Sequence, residues 1–147
     1  MILFLDFDGV LHPVGAGQPR FVRIGEFEAC MRDQELKHVQ IVISSSWRSV
    51  YSIEKIRGLF SHDIGLRIIG TTRTLNRYKT EHQRGEEIED WVANNHLPQW
   101  VALDDNRAHF AAKLHGRVIF CNGERGFTSI EADKLRRFVS IGRFERE

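Results

Sequence analysis

The sequence has little of several features that mark specialised classes of protein. Its only cysteines, Cys30 and Cys121, are far apart and form no CxxC or Cys/His cluster, so neither a disulfide scaffold nor a zinc site is expected. No stretch approaches the ~20 apolar residues of a membrane span, and we expect a cytoplasmic protein with two reduced thiols and no membrane partner. Lys and Arg total 21 against 20 Asp and Glu, and the net charge of +1 does not favour a nucleic-acid partner.

The composition that remains is ordinary for a globular protein. Hydrophobic residues make up 41% of the chain and charged residues 28%, which argues against disorder. A chain of 147 residues has the length of one domain and buries roughly 70% of its unfolded surface. We therefore predict a single α/β domain over residues 1–147, and the sequence leaves its oligomeric state open.

Short apolar runs predict the strands of this domain. They are nearly continuous in Val, Ile, Leu and Phe, as in parallel strands that are buried on both faces. The five runs are 2–7, 39–43, 66–69, 100–103 and 118–121.

Helical spacing appears between these runs. Ile88, Trp91 and Val92 form one apolar stripe, and Ala108, Ala111 and Ala112 form another. Thr128 and Glu131 form a capping box at the start of a last helix, whose apolar face carries Leu135, Phe138 and Val139. The alternation predicts an open parallel sheet with helices on both faces and a ligand crevice beyond the carboxyl ends of its strands.

Two acids directly follow the first apolar run. Residues i and i+2 of a strand point to the same side, so Asp6 and Asp8 are expected to share one space. At about 6 Å and an effective dielectric near 20, their repulsion is roughly 3 kcal/mol, which favours a compensating cation. The alternative is a hairpin turn at Asp8-Gly9.

Two more polar clusters follow later strands. Asp104 and Asp105 come after the fourth run, where converging carboxylates favour a hard cation such as Mg²⁺, although Asp and Asn also cap helices. The hydroxyls of Ser44, Ser45 and Ser46 come after the second run, where they bind a phosphate oxygen or cap the next helix.

In this order the motifs resemble those of the haloacid dehalogenase (HAD) superfamily of phosphatases and phosphotransferases. That family has DxDx[TV] after strand one, Ser or Thr after strand two, Lys or Arg before strand four and an acid pair after strand four. Here Asp6-Phe7-Asp8-Gly9-Val10 matches the first motif and Leu103-Asp104-Asp105 the last. The segments DFDGVLHP, SSSWR and RGEEIEDW are similar to the small HAD domain of Swiss Army knife RNA-repair proteins. The resemblance covers nearly the whole chain, and it implies a Rossmann-like three-layer sandwich with a mostly parallel five-stranded sheet and little or no cap.

The resemblance also implies roles for the acids. Asp6 would be the nucleophile that forms an aspartyl-phosphate, and Asp8 the general acid and base. The Mg²⁺ cofactor would be held by the Asp6 carboxylate, the Asp8 backbone carbonyl and Asp105, with Asp104 as the supporting acid. Which member of the Asp104-Asp105 pair touches the metal stays open.

The resemblance assigns the remaining roles to polar residues around these acids. Ser45, two residues before Trp47 as in related motifs, would bind the phosphate, with Ser44 as the alternative, and Ser46 would contact the substrate. Arg84 would be the cation, with Lys79 as its competitor.

Two further residues near the motifs have open roles. Trp47 stacks on a substrate ring or belongs to the core, and His12 contacts substrate or is a turn residue before Pro13.

The basic stretch before the fourth strand has two readings, a solvated face or an anion-attracting rim. Its cations are Arg67, Arg73, Arg77, Lys79 and Arg84.

The implied activity is a Mg²⁺-dependent phosphomonoesterase. The alternatives are a phosphatase of nucleotides or nucleic-acid ends, and a regulatory domain that binds phosphate without turnover. Residues 11–24 are the size of a flap and residues 71–83 the size of a polar loop, so neither forms a cap domain. We therefore expect an open site that admits a small phosphorylated molecule or a macromolecular end.

Overall fold

The computed structural model describes residues 1–15, 17–75 and 81–144, with side chains as far as residue 141. Five parallel strands form one sheet in the order β3-β2-β1-β4-β5. The strands are β1 Ile2–Leu5, β2 Gln40–Ile43, β3 Ile68–Thr71, β4 Trp100–Asp104 and β5 Val118–Phe120. The α/β architecture predicted from the sequence is confirmed.

Helices cover both faces of the sheet. They are α1 Ile24–Met31, α2 Ile53–Arg57, α3 His62–Gly65, α4 Gln83–Asn95 and α5 Ser129–Phe144. One apolar core joins β1 residues such as Leu3 to Phe27 of α1 and Leu135 of α5. The other joins Phe4 to Ile88 of α4, so the molecule has three layers. None of the helices in the described ranges is long and apolar enough to cross a membrane.

The capping box of the last helix is confirmed. The backbone N–H and the hydroxyl of Thr128 both donate to the Glu131 carboxylate, at 2.8 and 2.6 Å. Leu135 and Val139 are buried beneath it.

The alanine stripe predicted as a helix was wrong. Residues 107–117 form two 3₁₀ turns, Arg107–His109 and Ala112–Arg117, with Phe110 extended between them. Ala108 and Ala112 are exposed, and the buried side chains of this segment are Phe110 and Leu114. Alanine fits either environment, so its spacing does not say which face is buried.

Several predicted boundaries also shift by one or two residues. The third strand was placed at 66–69 but begins at Ile68, because Leu66 ends the single turn of α3 and is 68% exposed. The polar loop predicted at 71–83 is shorter at both ends, since Thr71 belongs to β3 and Gln83 to α4.

The segment predicted as a flap is made of turns rather than regular elements. Within residues 11–15 and 17–24, the chain folds back so that the backbones of His12 and Asp8 form an isolated β-bridge. Phe21 takes a left-handed conformation with φ of 59°. Left-handed backbone is uncommon for a bulky residue and needs support from packing. The Phe21 ring supplies this support through edge contacts with Phe7 and Trp47.

Candidate active site

The carboxyl ends of three adjacent strands bring the predicted motifs together. Leu5 of β1 pairs with Ile43 of β2 and with Leu103 of β4. The next residue in each chain segment is therefore Asp6, Ser44 or Asp104, all at one edge of the sheet. Neighbouring residues of parallel strands point to the same face, so these three side chains lie together.

Three carboxylates form a tight cluster at this edge. Oxygens of Asp6, Asp104 and Asp105 lie within 4.8 Å of one another. Asp6 and Asp104 are buried, at 6% and 1% exposure, while Asp105 is half-buried. A buried cluster of one charge sign is unfavourable unless a cation or proton compensates it.

The cost of burying these like charges is reflected in the pKa values of the three carboxyl groups. Burial raises the pKa of Asp6, although the Arg84 charge opposes the shift. Burial and the nearby charge of Asp6 raise the pKa of Asp104 to about 7. The same two causes raise the pKa of Asp105. Positive charge that enters the site therefore stabilises the ionised form of each carboxyl group.

Arg84 supplies one such charge. It lies in the first turn of α4, and its Nη1 donates to Oδ2 of Asp104 at 3.0 Å and lies 3.1 Å from Oδ1 of Asp6. The adjacent Gly85 lets α4 pack closely on Leu114, because a Cβ there would lie 2.9 Å from a Leu114 methyl group. The competing cation, Lys79, lies outside the described residues.

The donor set fits a hard divalent cation. Carboxylate oxygens are the ligands that Mg²⁺ prefers, and one guanidinium does not neutralise three acids. Glycines leave room for the third acid: a Cβ on Gly9 would lie 2.3 Å from Oδ2 of Asp105, and one on Gly123 would lie 2.9 Å away. Gly9 also has a φ of 77°, which disfavours other residues there.

Asp8 stands beside this cluster and is held by two side chains. Nε2 of His12 lies 2.7 Å from Oδ1 of Asp8, and Nε1 of Trp47 donates to Oδ2 at 3.3 Å. The Phe21 backbone N–H donates to Nδ1 of His12 at 3.3 Å, so the proton of a neutral imidazole lies on Nε2 and points at Asp8. His12 is 5% exposed, whereas the Asp8 side chain is 53% exposed. The Asp8 carboxyl is therefore fixed in direction and still faces the open site.

The three serines occupy different environments. The Ser45 hydroxyl accepts a hydrogen bond from the Trp47 backbone N–H at 3.2 Å and caps a short 3₁₀ turn, Ser46–Ser49. The Ser44 hydroxyl is buried and has no hydrogen-bond partner within the described part of the chain. Ser46 is exposed and lines the mouth of the site. An unpartnered buried hydroxyl is costly, so Ser44 is the serine that gains most from a ligand.

A buried ion pair shapes the wall of the site, and sequence reasoning missed it. Arg48 lies 3.0 Å from Glu87 of α4 and donates to the backbone carbonyls of Ser44, Ser45 and Thr72. The pair ties the loop after β2 to the helix that carries Arg84. Both residues stood inside the quoted motifs SSSWR and RGEEIEDW, but their 39-residue separation gave no sign of contact.

Among the described cations of the basic stretch, Arg84 lies at the acid cluster, whereas Arg67 and Arg73 are engaged elsewhere. The Arg67 guanidinium donates to the backbone carbonyls of Met31, at the end of α1, and of Leu36 and Val39, in the connection between α1 and β2. Arg73 pairs with Asp90 at 2.7 Å. Arg77 lies outside the described residues.

The parallel sheet, with acids after its first and fourth strands and a hydroxyl after its second, defines a HAD-type domain. Residues 2–132 match the family model described as the HAD domain in Swiss Army Knife RNA repair proteins, and the chain belongs to this family. The family supports a phosphatase-like hydrolase activity in general terms. A search of curated proteins found no match.

Proposed function

We propose that the protein is a Mg²⁺-dependent phosphomonoesterase that works through an aspartyl-phosphate on Asp6. The carrying observation is the cluster of Asp6, Asp104 and Asp105, with the directed carboxyl of Asp8 beside it. Buried like charges are unfavourable without a compensating cation, whereas phosphoryl transfer uses this arrangement of nucleophile and cation site.

In the first step a carboxylate oxygen of Asp6 attacks phosphorus. A new P–O bond forms on Asp6, and the bond from phosphorus to the ester oxygen breaks. Asp8 gives its proton to that oxygen, which leaves as an alcohol. Arg84, 3.1 Å from Asp6, binds the transferring phosphoryl oxygens with its fixed fork of donors.

In the second step water hydrolyses the aspartyl-phosphate. Asp8, now ionised, takes a proton from the attacking water, and the phosphoryl group leaves as inorganic phosphate while Asp6 is restored. Bound Mg²⁺ would neutralise the charge shared by nucleophile and phosphate. Asp6, the Asp8 backbone carbonyl and the Asp104-Asp105 pair would hold it.

The phosphate-binding hydroxyl belongs to Ser44 rather than Ser45 in this proposal. Ser44 follows the residue paired with Leu5, and its hydroxyl is unpartnered in the described structure, whereas Ser45 already caps a turn.

Hydrolysis of simple phosphate esters tests the proposal. We expect release of phosphate from 4-nitrophenyl phosphate in Mg²⁺, and loss of that activity in excess EDTA with recovery when Mg²⁺ is restored. Activity that persists in EDTA would contradict the metal requirement. A phosphate-induced rise in Tm without turnover of a broad ester panel would favour the regulatory alternative.

His12 is assigned the role of positioning Asp8. Replacing His12 with Leu should lower kcat by roughly 10- to 100-fold, the value of one hydrogen bond to a charged group. KM should change little, because His12 is buried and its Nε2 contacts Asp8. His12→Gln keeps a side-chain donor and should recover part of kcat; equal losses in both variants, or a change in KM alone, would argue against positioning.

The second candidate function is a phosphatase of nucleotides or nucleic-acid ends. The observation in its favour is the RNA-repair description of the matched family. Comparison of phosphorylated oligonucleotides with sugar phosphates distinguishes it from a general phosphomonoesterase.

A further inference from the structure

A cavity opens beside Asp8 and shares Ser46 with the cavity that contains Arg84. Its volume is about 320 Å³, and its lining is Asp8, Arg20, Ser46, Trp47, Val50 and Tyr51. A separate cavity of about 400 Å³ contains Arg84 and Glu87. Under the proposed function, on which this inference rests, Asp8 protonates the leaving oxygen. The leaving group therefore lies in the cavity lined by Asp8.

Two aromatic rings form the wall of this cavity. Trp47 and Tyr51 lie one helical turn apart, and their ring centroids are 5.4 Å apart with planes tilted by 36°. Trp47 is supported from behind by Phe7 and Phe21, at centroid distances of 5.6 and 5.2 Å. Val50 is 75% exposed at the same opening. The wall is thus a packed and partly exposed apolar surface.

Two cations cover this wall. The Arg20 guanidinium lies 5.2 Å from the Trp47 ring centroid, and the Lys55 ammonium lies 4.9 Å from that of Tyr51. Neither has a carboxylate partner among residues 1–15, 17–75 and 81–141, whereas Arg32 and Arg73 each pair with an aspartate. Arg20 and Lys55 are exposed side chains, so they can move aside or close over a planar ligand.

The cavity offers little to a polyhydroxylated leaving group. Among the residues that line the cavity, Ser46 is the one that offers an aliphatic hydroxyl. Sugar recognition needs several side chains that hydrogen-bond hydroxyl groups. Aromatic faces flanked by cations suit unsaturated rings and the anions attached to them.

We propose that this cavity is the leaving-group subsite and that it takes a nucleoside, so that the preferred substrate is a nucleoside phosphate. The base packs against Tyr51 and Trp47, and Arg20 closes over it. Free nucleotides and the terminal nucleotide of a strand share this chemistry.

Competing esters test the subsite. For adenosine monophosphates with 3′ or 5′ phosphates, we expect kcat/KM to exceed that for glycerol phosphate and glucose 6-phosphate. Tyr51→Leu removes the ring. It should lower the ratio of kcat/KM for the nucleoside phosphates to kcat/KM for the other esters by about 10-fold, the usual value of one base–aromatic contact. Tyr51→Phe keeps the ring and should preserve the ratio. Arg20→Ala should also lower this ratio. Lys113→Ala is the control and should leave the ratio unchanged, because Lys113 is an exposed cation that pairs with Glu89.

Short oligonucleotides with 3′ or 5′ phosphates form the second arm. Turnover of oligonucleotides above that of mononucleotides identifies a strand end, and the reverse order identifies a free nucleotide. A ratio near one between nucleoside and sugar phosphates, or a ratio that Tyr51→Leu leaves unchanged, would overturn the subsite.

Calorimetric titration distinguishes failure of the nucleoside subsite from failure of the proposed phosphatase function. Adenosine monophosphate and glycerol phosphate are titrated into Asp6→Asn protein with Mg²⁺, and into the same protein carrying Tyr51→Leu. Tighter binding of the nucleotide that depends on Tyr51 supports the subsite even if no ester is hydrolysed. Hydrolysis without any such preference refutes the subsite alone.

Discussion

Replacing Asp6 with Asn is expected to lower kcat for 4-nitrophenyl phosphate by about 10³-fold or more. An amide oxygen is a poor nucleophile toward phosphorus. The substitution also removes one negatively charged metal ligand from the site. Asn is almost isosteric with Asp, and its oxygen can still accept a hydrogen bond from Arg84, which lies 3.1 Å from Asp6 in the native site. Steady-state kinetics and thermal unfolding of the same preparation measure both effects.

The fold of this variant should be retained. Burial and the mutual repulsion of the acids already disfavour the charged form of Asp6, so loss of its charge relieves part of that cost. Asp63→Asn is the matched control, because Asp63 is exposed and pairs with Arg32 away from the site. It should retain wild-type turnover. An Asp6→Asn enzyme with kcat close to that of wild type would refute the assigned nucleophile.

Replacing Asp8 with Asn is expected to lower kcat by about 10²- to 10⁴-fold, the range for loss of a general acid and base. The loss of kcat/KM should depend on the ester. An alkyl phosphate needs a proton on its leaving oxygen, whereas 4-nitrophenolate leaves without one. The variant should therefore lose more kcat/KM for glycerol phosphate than for 4-nitrophenyl phosphate.

The ester dependence separates chemistry from damage to the site. The amide that replaces the Asp8 carboxyl keeps one acceptor oxygen, so it can retain one of the two present contacts, at 2.7 Å to His12 or at 3.3 Å to Trp47. Equal losses of kcat/KM for the two esters would show that Asp8 does not protonate the leaving group.

The sheet and its acids were predictable because their signals are local. A parallel strand buried on both faces leaves a continuous apolar run, and the acids of this site directly follow Leu5 and Leu103, which pair with each other on neighbouring strands. Convergence of Asp6 with Asp104 then follows from the topology alone, since adjacent parallel strands end at one edge.

The contacts around the acids were not predictable in the same way. Arg48 and Glu87 are 39 residues apart, and their buried pair depends on how α4 packs beside the loop after β2. The direction of His12 depends on the left-handed turn at Phe21, which no sequence pattern marks. The choice between Ser44 and Ser45 depends on strand parity, and an error of one residue in the strand end reverses it.

The mass of the intact Asp8→Asn protein after reaction with 4-nitrophenyl phosphate tests the central claim most directly. This ester phosphorylates Asp6 without an acid, and loss of the base slows hydrolysis, so the account predicts protein that carries one phosphoryl group. Peptide mapping should place that group on Asp6, and the Asp6→Asn, Asp8→Asn double variant should not acquire it. Turnover without any covalent phosphoryl group, or a group on another residue, would contradict the account.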